Sequence, residues 1–306
     1  MSRNRAALRP ARFVRRRLAA VLLLATTGSL AFASSAFAGL LTPESGGSPN
    51  ANEIHSLYVI ILCIAVAVFV VVEGALLYSV LRFRARKGRV AAQIHGNTRL
   101  EVSWTVAAAL ILVALATVTF VKLSSIQNPP NSGPGGVSAG AVLTASTSVP
   151  TPPNGRKLTI CVTGRQYIWR YTYGASCRSD AFKSDAPYSY QEMVVPADTT
   201  VVLDIEATDV IHSWWIPKLG GKFDAVPGYE NYTWFKASKV GAVYRGQCAE
   251  LCGRNHANML ADVRVVTPTA FRAWLASKKA QINAANRASA AAAPLLAPLP
   301  ARPGKP

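Results

Sequence analysis

The chain has 306 residues, half of them hydrophobic, with 33 Lys and Arg against 15 Asp and Glu, a formal charge of +18 and a pI near 10.1. That balance invites a nucleic-acid reading, in which Lys and Arg neutralise phosphates, but the placement of the charge excludes it. Arg3, Arg5, Arg9, Arg12, Arg15, Arg16 and Arg17 precede the first apolar run, while Arg82, Arg84, Arg86, Lys87, Arg89 and Arg99 share one short loop.

The first cluster leads into the apolar stretch Leu18 to Leu30, closed by Ala36-Phe37-Ala38. This order of basic, apolar and small residues is that of a signal peptide over 1–38, with cleavage after Ala38. An uncleaved anchor is the alternative, since residues 18–38 are just long enough to span; either way the next segment starts outside the cytoplasm. Two apolar runs follow within 54–123, Leu57 to Leu81 and Val102 to Leu123, each longer than the roughly 20 residues a spanning helix needs. By the positive-inside rule the basic loop 82–99 is cytoplasmic, so the pair forms a hairpin with both ends outside. Expected is a two-pass protein of a bacterial-type plasma membrane. Glu73 lies within the first helix, where a carboxylate is costly and is expected to face a partner or snorkel, and Cys63 there reads as a small apolar packer. Glu101 opens the second helix just after Asn97-Thr98, where negative charge suits the helix dipole.

Residues 124–157 hold Asn128-Pro129-Pro130, Gly133-Pro134-Gly135-Gly136 and Pro150-Thr151-Pro152-Pro153 and no apolar periodicity, which predicts a linker. Short β-rich runs come next: Leu158–Val162, Tyr167–Tyr173, Glu192–Val195, Thr200–Ile205, Tyr232–Phe235, Ala242–Gly246 and Leu260–Val266. Separated by Gly, Pro and Asp, they argue for a sandwich or barrel over 158–267. A helix is predicted over 268–280, where Phe271, Trp274 and Leu275 share a face, and a disordered Ala/Pro-rich tail over 281–306.

Near the end of that domain Cys248, Cys252, His256 and Met259 follow the spacing C-x3-C-x3-H-x2-M. Thiolate and thioether sulfur are soft donors that favour Cu(I), imidazole serves both copper oxidation states, and a long Met bond helps tune an electron-transfer site. In an oxidising compartment two nearby thiols also tend to pair, so a Cys248–Cys252 disulfide is the plain alternative. Zinc is another, but Met is a poor zinc ligand and zinc carries no electrons. Copper accounts for all four residues. Two cysteines need more nitrogen than one His provides, and of the four histidines His55 and His95 flank the membrane helices. That leaves His212, before Trp214 and Trp215, although a His beside tryptophans is ordinarily a satisfied core residue. Cys161 and Cys177 are left as a possible disulfide.

With these residues in view the chain resembles subunit II of the haem-copper cytochrome c oxidases, from about residue 54 to 275. The resemblance implies a two-helix transmembrane hairpin followed by an extracytoplasmic, cupredoxin-like, all-β Greek-key sandwich carrying the binuclear CuA centre. Carried over, Cys248 and Cys252 would bridge two copper ions, and His212 and His256 would cap one each. Met259 would bind one axially and Glu250 the other through its backbone carbonyl, its carboxylate reaching a magnesium ion at the subunit I boundary. Asp209 and the stretch Gly221 to Gly228 also look like the family's. The implied partners are subunit I with haem and CuB, other oxidase subunits, the lipid membrane, and a soluble or membrane-bound cytochrome c as electron donor. The implied activity is relay of electrons to haem in subunit I, which reduces O2 to water and pumps protons. His212 and residues 248–259 are expected as loops at one end of the sandwich.

Electron entry departs from the family pattern: Tyr167 stands where many relatives put the entry tryptophan, Trp169 competes for the role, and either can be an ordinary strand aromatic. Residues 155–275 carry 14 basic and 11 acidic side chains, so no strongly acidic face for a basic donor is evident. Glu101 matches the family's acidic residue at the mouth of a proton pathway in subunit I. Other readings stay open: the same relay in a CuA-containing nitric oxide reductase or in nitrous oxide reduction, and a membrane-tethered copper carrier.

Overall fold

The computed structural model describes residues 41–84, 88, 90, 93, 95–134, 136, 150–174, 177 and 186–292. The expected signal peptide falls outside the described residues. The chain divides into two compact units, Met1–Glu44 and Ser45–Pro306, and every element named here belongs to the second.

Two helices lead, α1 over Pro49–Arg82 and α2 over Thr98–Gln127. Both are apolar and long enough to cross a membrane, and the most apolar stretch of each is wholly uncovered by protein. They overrun the predicted runs at both ends because polar residues start them. Pro49 at the first position of α1 is pre-set for helix, and the Asn97 side chain accepts from the Leu100 N–H to cap α2. Beyond the apolar stretch, Lys122 of α2 pairs with Glu53 of α1 at 2.7 Å, tying the extended ends together. Cys63 and Glu73 are both exposed on α1.

The β-domain is a sandwich of two five-stranded sheets. One has the order β3(Tyr188–Tyr190), β2(Ile168–Tyr173), β1(Leu158–Arg165), β5(Thr199–Ala207), β8(Asn231–Ala237). The other runs β4(Glu192–Pro196), β10(Leu260–Val266), β9(Val243–Cys248), β6(His212–Trp215), β7(Phe223–Ala225). Pairs β1–β5 and β4–β10 are parallel and the rest antiparallel. Alternation sorts the side chains: Val201, Leu203 and Ile205 of β5 enter the shared core with Ile160, Val162, Trp169 and Phe235, meeting Met193, Val195, Trp214, Val263 and Val265 from the other sheet. The seven predicted runs are β1, β2, β4, β5, β8, β9 and β10; the three short strands β3, β6 and β7 are additional.

Two further boundaries are corrected. The C-terminal helix, α3, runs from Pro268 to Ala292, so residues 281–292, expected as disordered tail, are helical; Ala-rich sequence is strongly helix-forming, and Ile282 is buried. The expected linker begins helical and then straps onto the sandwich. Pro130 accepts from the Thr200 hydroxyl at 2.6 Å, the Ser132 hydroxyl accepts from the Thr200 N–H at 3.0 Å, and the Gly133 N–H donates to Asp198 at 2.7 Å. Cys161 of β1 and Cys177 form a disulfide, and both are buried.

Candidate metal centre

The core cluster extends without a break into Cys248, Cys252 and Met259. The loop that carries them leaves β9 at Cys248, turns through the short 3-10 helix His256–Asn258, and re-enters at β10. Its neck is closed by the Cys248 N–H donating to the Met259 carbonyl at 2.9 Å, so the first and last sulfur residues are locked side by side. Gly253, at φ +131, supplies the backbone conformation that lets the loop fold back. His212 approaches from the other side as the first residue of β6. It was expected in a loop; the strand pairs with β7 at His212 and Ala225 and with β9 at Trp214 and Cys248, which presents the ring to the thiols.

Six donors converge there. Cys248 Sγ lies 3.9 Å from Cys252 Sγ, 3.9 Å from His212 Nδ1 and 3.2 Å from the Glu250 carbonyl oxygen. Cys252 Sγ lies 3.5 Å from His256 Nδ1 and 3.9 Å from Met259 Sδ. His212 and Met259 are fully buried, both cysteines nearly so, and His256 half-buried. Two soft thiolates, two imidazoles aimed through Nδ1, a thioether with no solvent access and one backbone carbonyl fit copper. Among the described residues, His212, Cys248 and Cys252 form a cluster tight enough to hold an ion. Cys248 and Cys252 are free thiols, so the disulfide alternative does not hold here.

The electrostatics favour one charge over two in the absence of metal. Burial acts upward on Cys248, but hydrogen bonding to the His212 ring and to the Ser213 backbone outweighs it and brings this thiol down to about 6. Burial, together with the neighbouring Cys248 thiolate, pushes Cys252 up to about 11. His212 is held above its ordinary value: burial opposes the charge, yet Cys248 and Asp209 on its two nitrogens more than compensate.

Three supporting residues escape sequence reasoning as to role. Asp209 accepts from His212 Nε2 at 2.9 Å through one oxygen and from the Gln166 N–H at 2.7 Å through the other. It thereby orients the ring so that Nδ1 faces the thiols, the usual task of a carboxylate behind a metal-bound histidine. Gln166 also donates its side-chain amide to the Cys252 carbonyl at 2.6 Å. Gly164 leaves room for the site, since a Cβ there would sit 3.0 Å from the Trp169 ring and 3.1 Å from the His212 ring. A carboxylate three residues before His212 was the one local signal.

The remaining predicted residues separate. Tyr167, in the β1–β2 turn, is half-buried, with its hydroxyl 2.7 Å from where a Gly253 Cβ would stand. Trp169 is fully buried in the core, its ring 5.8 Å from that of His212. Glu250 is exposed. Glu101 lies far along the chain at the start of α2, exposed, accepting from the Asn97 N–H at 3.2 Å.

Two family models match the chain: "Cytochrome C oxidase subunit II, transmembrane domain" over residues 37–121 and "Cytochrome C oxidase subunit II, periplasmic domain" over residues 158–266. The chain belongs to the cytochrome c oxidase subunit II family. Among its relatives, the cytochrome c oxidase subunit 2 of Cereibacter sphaeroides is 33% identical over 293 residues, covering 84% of this chain and 88% of that protein. The probable cytochrome c oxidase subunit 2 of Rickettsia bellii (strain RML369-C) is 33% identical over 282 residues, covering 86% and 96%. The crystal structure of the periplasmic domain of subunit II of cytochrome oxidase of Bradyrhizobium japonicum is 34% identical, covers 41% of this chain and 95% of that one, and superposes with a TM-score of 0.36. The subunit II family is a copper-binding one, its members are parts of an oxidase, and the two matched regions coincide with the helix hairpin and the cupredoxin-like sandwich. The chain is accordingly a two-pass membrane protein.

Proposed function

We propose that this chain is the electron-entry subunit of a cytochrome c oxidase, accepting electrons from cytochrome c and passing them to haem in subunit I, where O2 is reduced to water with proton pumping. The observation that carries the reading is the convergence of Cys248, Cys252, His212, His256, Met259 and the Glu250 carbonyl at one end of a sandwich carried on a membrane hairpin. Cys248, Cys252, His212, His256, Met259 and the Glu250 carbonyl would hold two copper ions, which would supply reversible one-electron chemistry there. The protein's share is to hold the donors before metal arrives: the loop neck fixes Cys248 against Met259, Asp209 fixes His212, and Gln166 fixes Cys252.

Tyr167 is the better candidate for electron entry, because it is partly exposed and packs on the metal loop at Gly253, whereas Trp169 is sealed in the core. The exposed Glu250 side chain is free to reach a magnesium ion at the boundary with subunit I. Glu101, exposed at the start of α2, is the proposed acidic entrance to a proton pathway, although its contact with Asn97 also gives it a helix-capping task. The positive charge of the loop between the helices supports a cytoplasmic position for that end and an extracytoplasmic one for the copper domain, in a bacterial-type plasma membrane.

The test is Cys252→Ser in the assembled complex. The wild type should hold two coppers in this chain, give a mixed-valence copper EPR signal and oxidise reduced cytochrome c; the variant should lose both signal and electron uptake. Undiminished turnover in the variant would favour a copper carrier, and co-purification with a nitric oxide reducing subunit would move the relay to nitrogen-oxide chemistry.

A further inference from the structure

Trp234 sits in β8, the outer strand of its sheet. Its neighbour Phe235 belongs to the core between the sheets, as does Ala237, and Trp234 does not; alternation sends its ring to the opposite face, where a tryptophan would ordinarily be wet. Yet Trp234 is only 2% exposed. Its indole N–H donates to the carbonyls of Ile126 at 3.0 Å and Gln127 at 2.9 Å, the last two residues of α2. Carbonyls at a helix C-terminus lack partners within the helix, so the indole satisfies groups that would otherwise need water. The Trp234 carbonyl, for its part, accepts from the Asn50 side-chain amide at 2.9 Å, in the first turn of α1. Two residues on, the Lys236 N–H donates to the Ser48 hydroxyl at 3.0 Å.

Both membrane helices thus end on one strand, and Trp234 is the residue that touches both. The same short segment presses on the turn between β6 and β7: a Cβ on Gly47 would run into the Lys218 carbonyl oxygen, and one on Gly220 would stand 2.7 Å from the Asn50 amide. That turn follows the strand that begins with His212.

We propose that Trp234, with Asn50, is a positioning residue that clamps the metal-binding sandwich onto its membrane hairpin and so sets the gap the electron crosses on leaving the domain. The clamp itself stands on the contacts; its effect on electron transfer rests on the relay function proposed above. Trp234 forms no hydrogen bond with any of the six donor residues, so its removal should leave the centre intact and alter only where the centre is held.

The experiment uses the full chain assembled with its partner subunits, in two variants. Trp234→Phe keeps an aromatic ring on that face and deletes the N–H; Asn50→Ala deletes the donor from the other helix and leaves β8 untouched, which guards against a folding failure of the first. Three quantities are read: the copper EPR spectrum, hydrogen exchange at the Lys236 amide against amides of β1, and the rate of the internal step from copper to haem. Expected in both variants are an unchanged spectrum, Lys236 exchange faster by up to about tenfold, the ratio one lost hydrogen bond can produce, and a severalfold slower internal step with entry from cytochrome c unchanged. Loss of the copper signal in both variants, unchanged Lys236 exchange, or faster exchange with no slowing of the internal step would each overturn the proposal. A wild-type complex that takes up no electrons would instead sink the relay, and Lys236 exchange would still decide whether the clamp exists.

Discussion

Cys248 and Cys252 face each other at 3.9 Å with opposite tendencies, one drawn down to about 6 and the other driven up to about 11. Near neutrality the metal-free site therefore holds one thiolate and one thiol. Binding copper through both sulfurs must expel the Cys252 proton, so apparent affinity should weaken as pH falls. The dependence should steepen below about 6, where Cys248 also takes up a proton. Competition titrations of the metal-free protein against a copper chelator across this range check the slope; a flat profile would mean that both sulfurs are not ligands. Met259 offers a second residue-level test. It is fully buried, and Met259→Leu conserves volume, which usually costs less than about 1.5 kcal/mol. The variant should fold and bind copper yet shift the midpoint potential, since only the thioether is lost; an unchanged potential would show Met259 to be packing alone. The convergence of Cys248, Cys252, His256, Met259 and His212 was legible in the sequence because a metal, if these residues hold one, dictates residue type and spacing. Gln166 and Gly164 were not, because their parts depend on β1, β6 and the metal loop meeting in space, and neither residue type announces it.

At the scale of elements, the long β-rich runs were readable because a strand buried on one face alternates apolar residues and one buried on both faces is apolar along its length. Strands β3, β6 and β7 have only three or four residues and exist because neighbours supply their hydrogen-bond partners, so local pattern could not announce them. Helix α3 reversed the compositional reading of its second half: alanine says little about burial but favours helix strongly. Its first half docks by Phe271, which is fully buried with its ring 6.0 Å from that of Tyr173 and 6.1 Å from that of Trp274. Phe271→Ala should destabilise the sandwich by about 3 to 5 kcal/mol, measured by denaturant unfolding, while at low temperature the copper spectrum persists because the centre lies among other elements. A loss near zero would mean that α3 is an appendage.

For the whole molecule, the apparent linker over 124–157 conceals how closely the two halves are joined. Proline and glycine clusters suggested a free tether, but Pro130 and Ser132 hydrogen-bond to Thr200 of β5, Gly133 to Asp198 in the turn before it, and Asn131 to the Lys236 side chain of β8. Sequence cannot reveal this, since a strap uses backbone carbonyls and a few small polar side chains that any loop contains. Ser48 and Asn50 also hydrogen-bond to the backbone on the open flank of β8, at Lys236 and Trp234, and an open flank is where one β-protein adds itself to another. Freed from its hairpin, the copper domain would be left with bare backbone groups along β8 and an uncovered Trp234. A fragment beginning at Lys157 should therefore self-associate, visible as a concentration-dependent mass in sedimentation, and Lys236→Pro on that strand should restore the monomer. In this protein the membrane helices would act as the stopper that keeps a soluble-looking domain solitary.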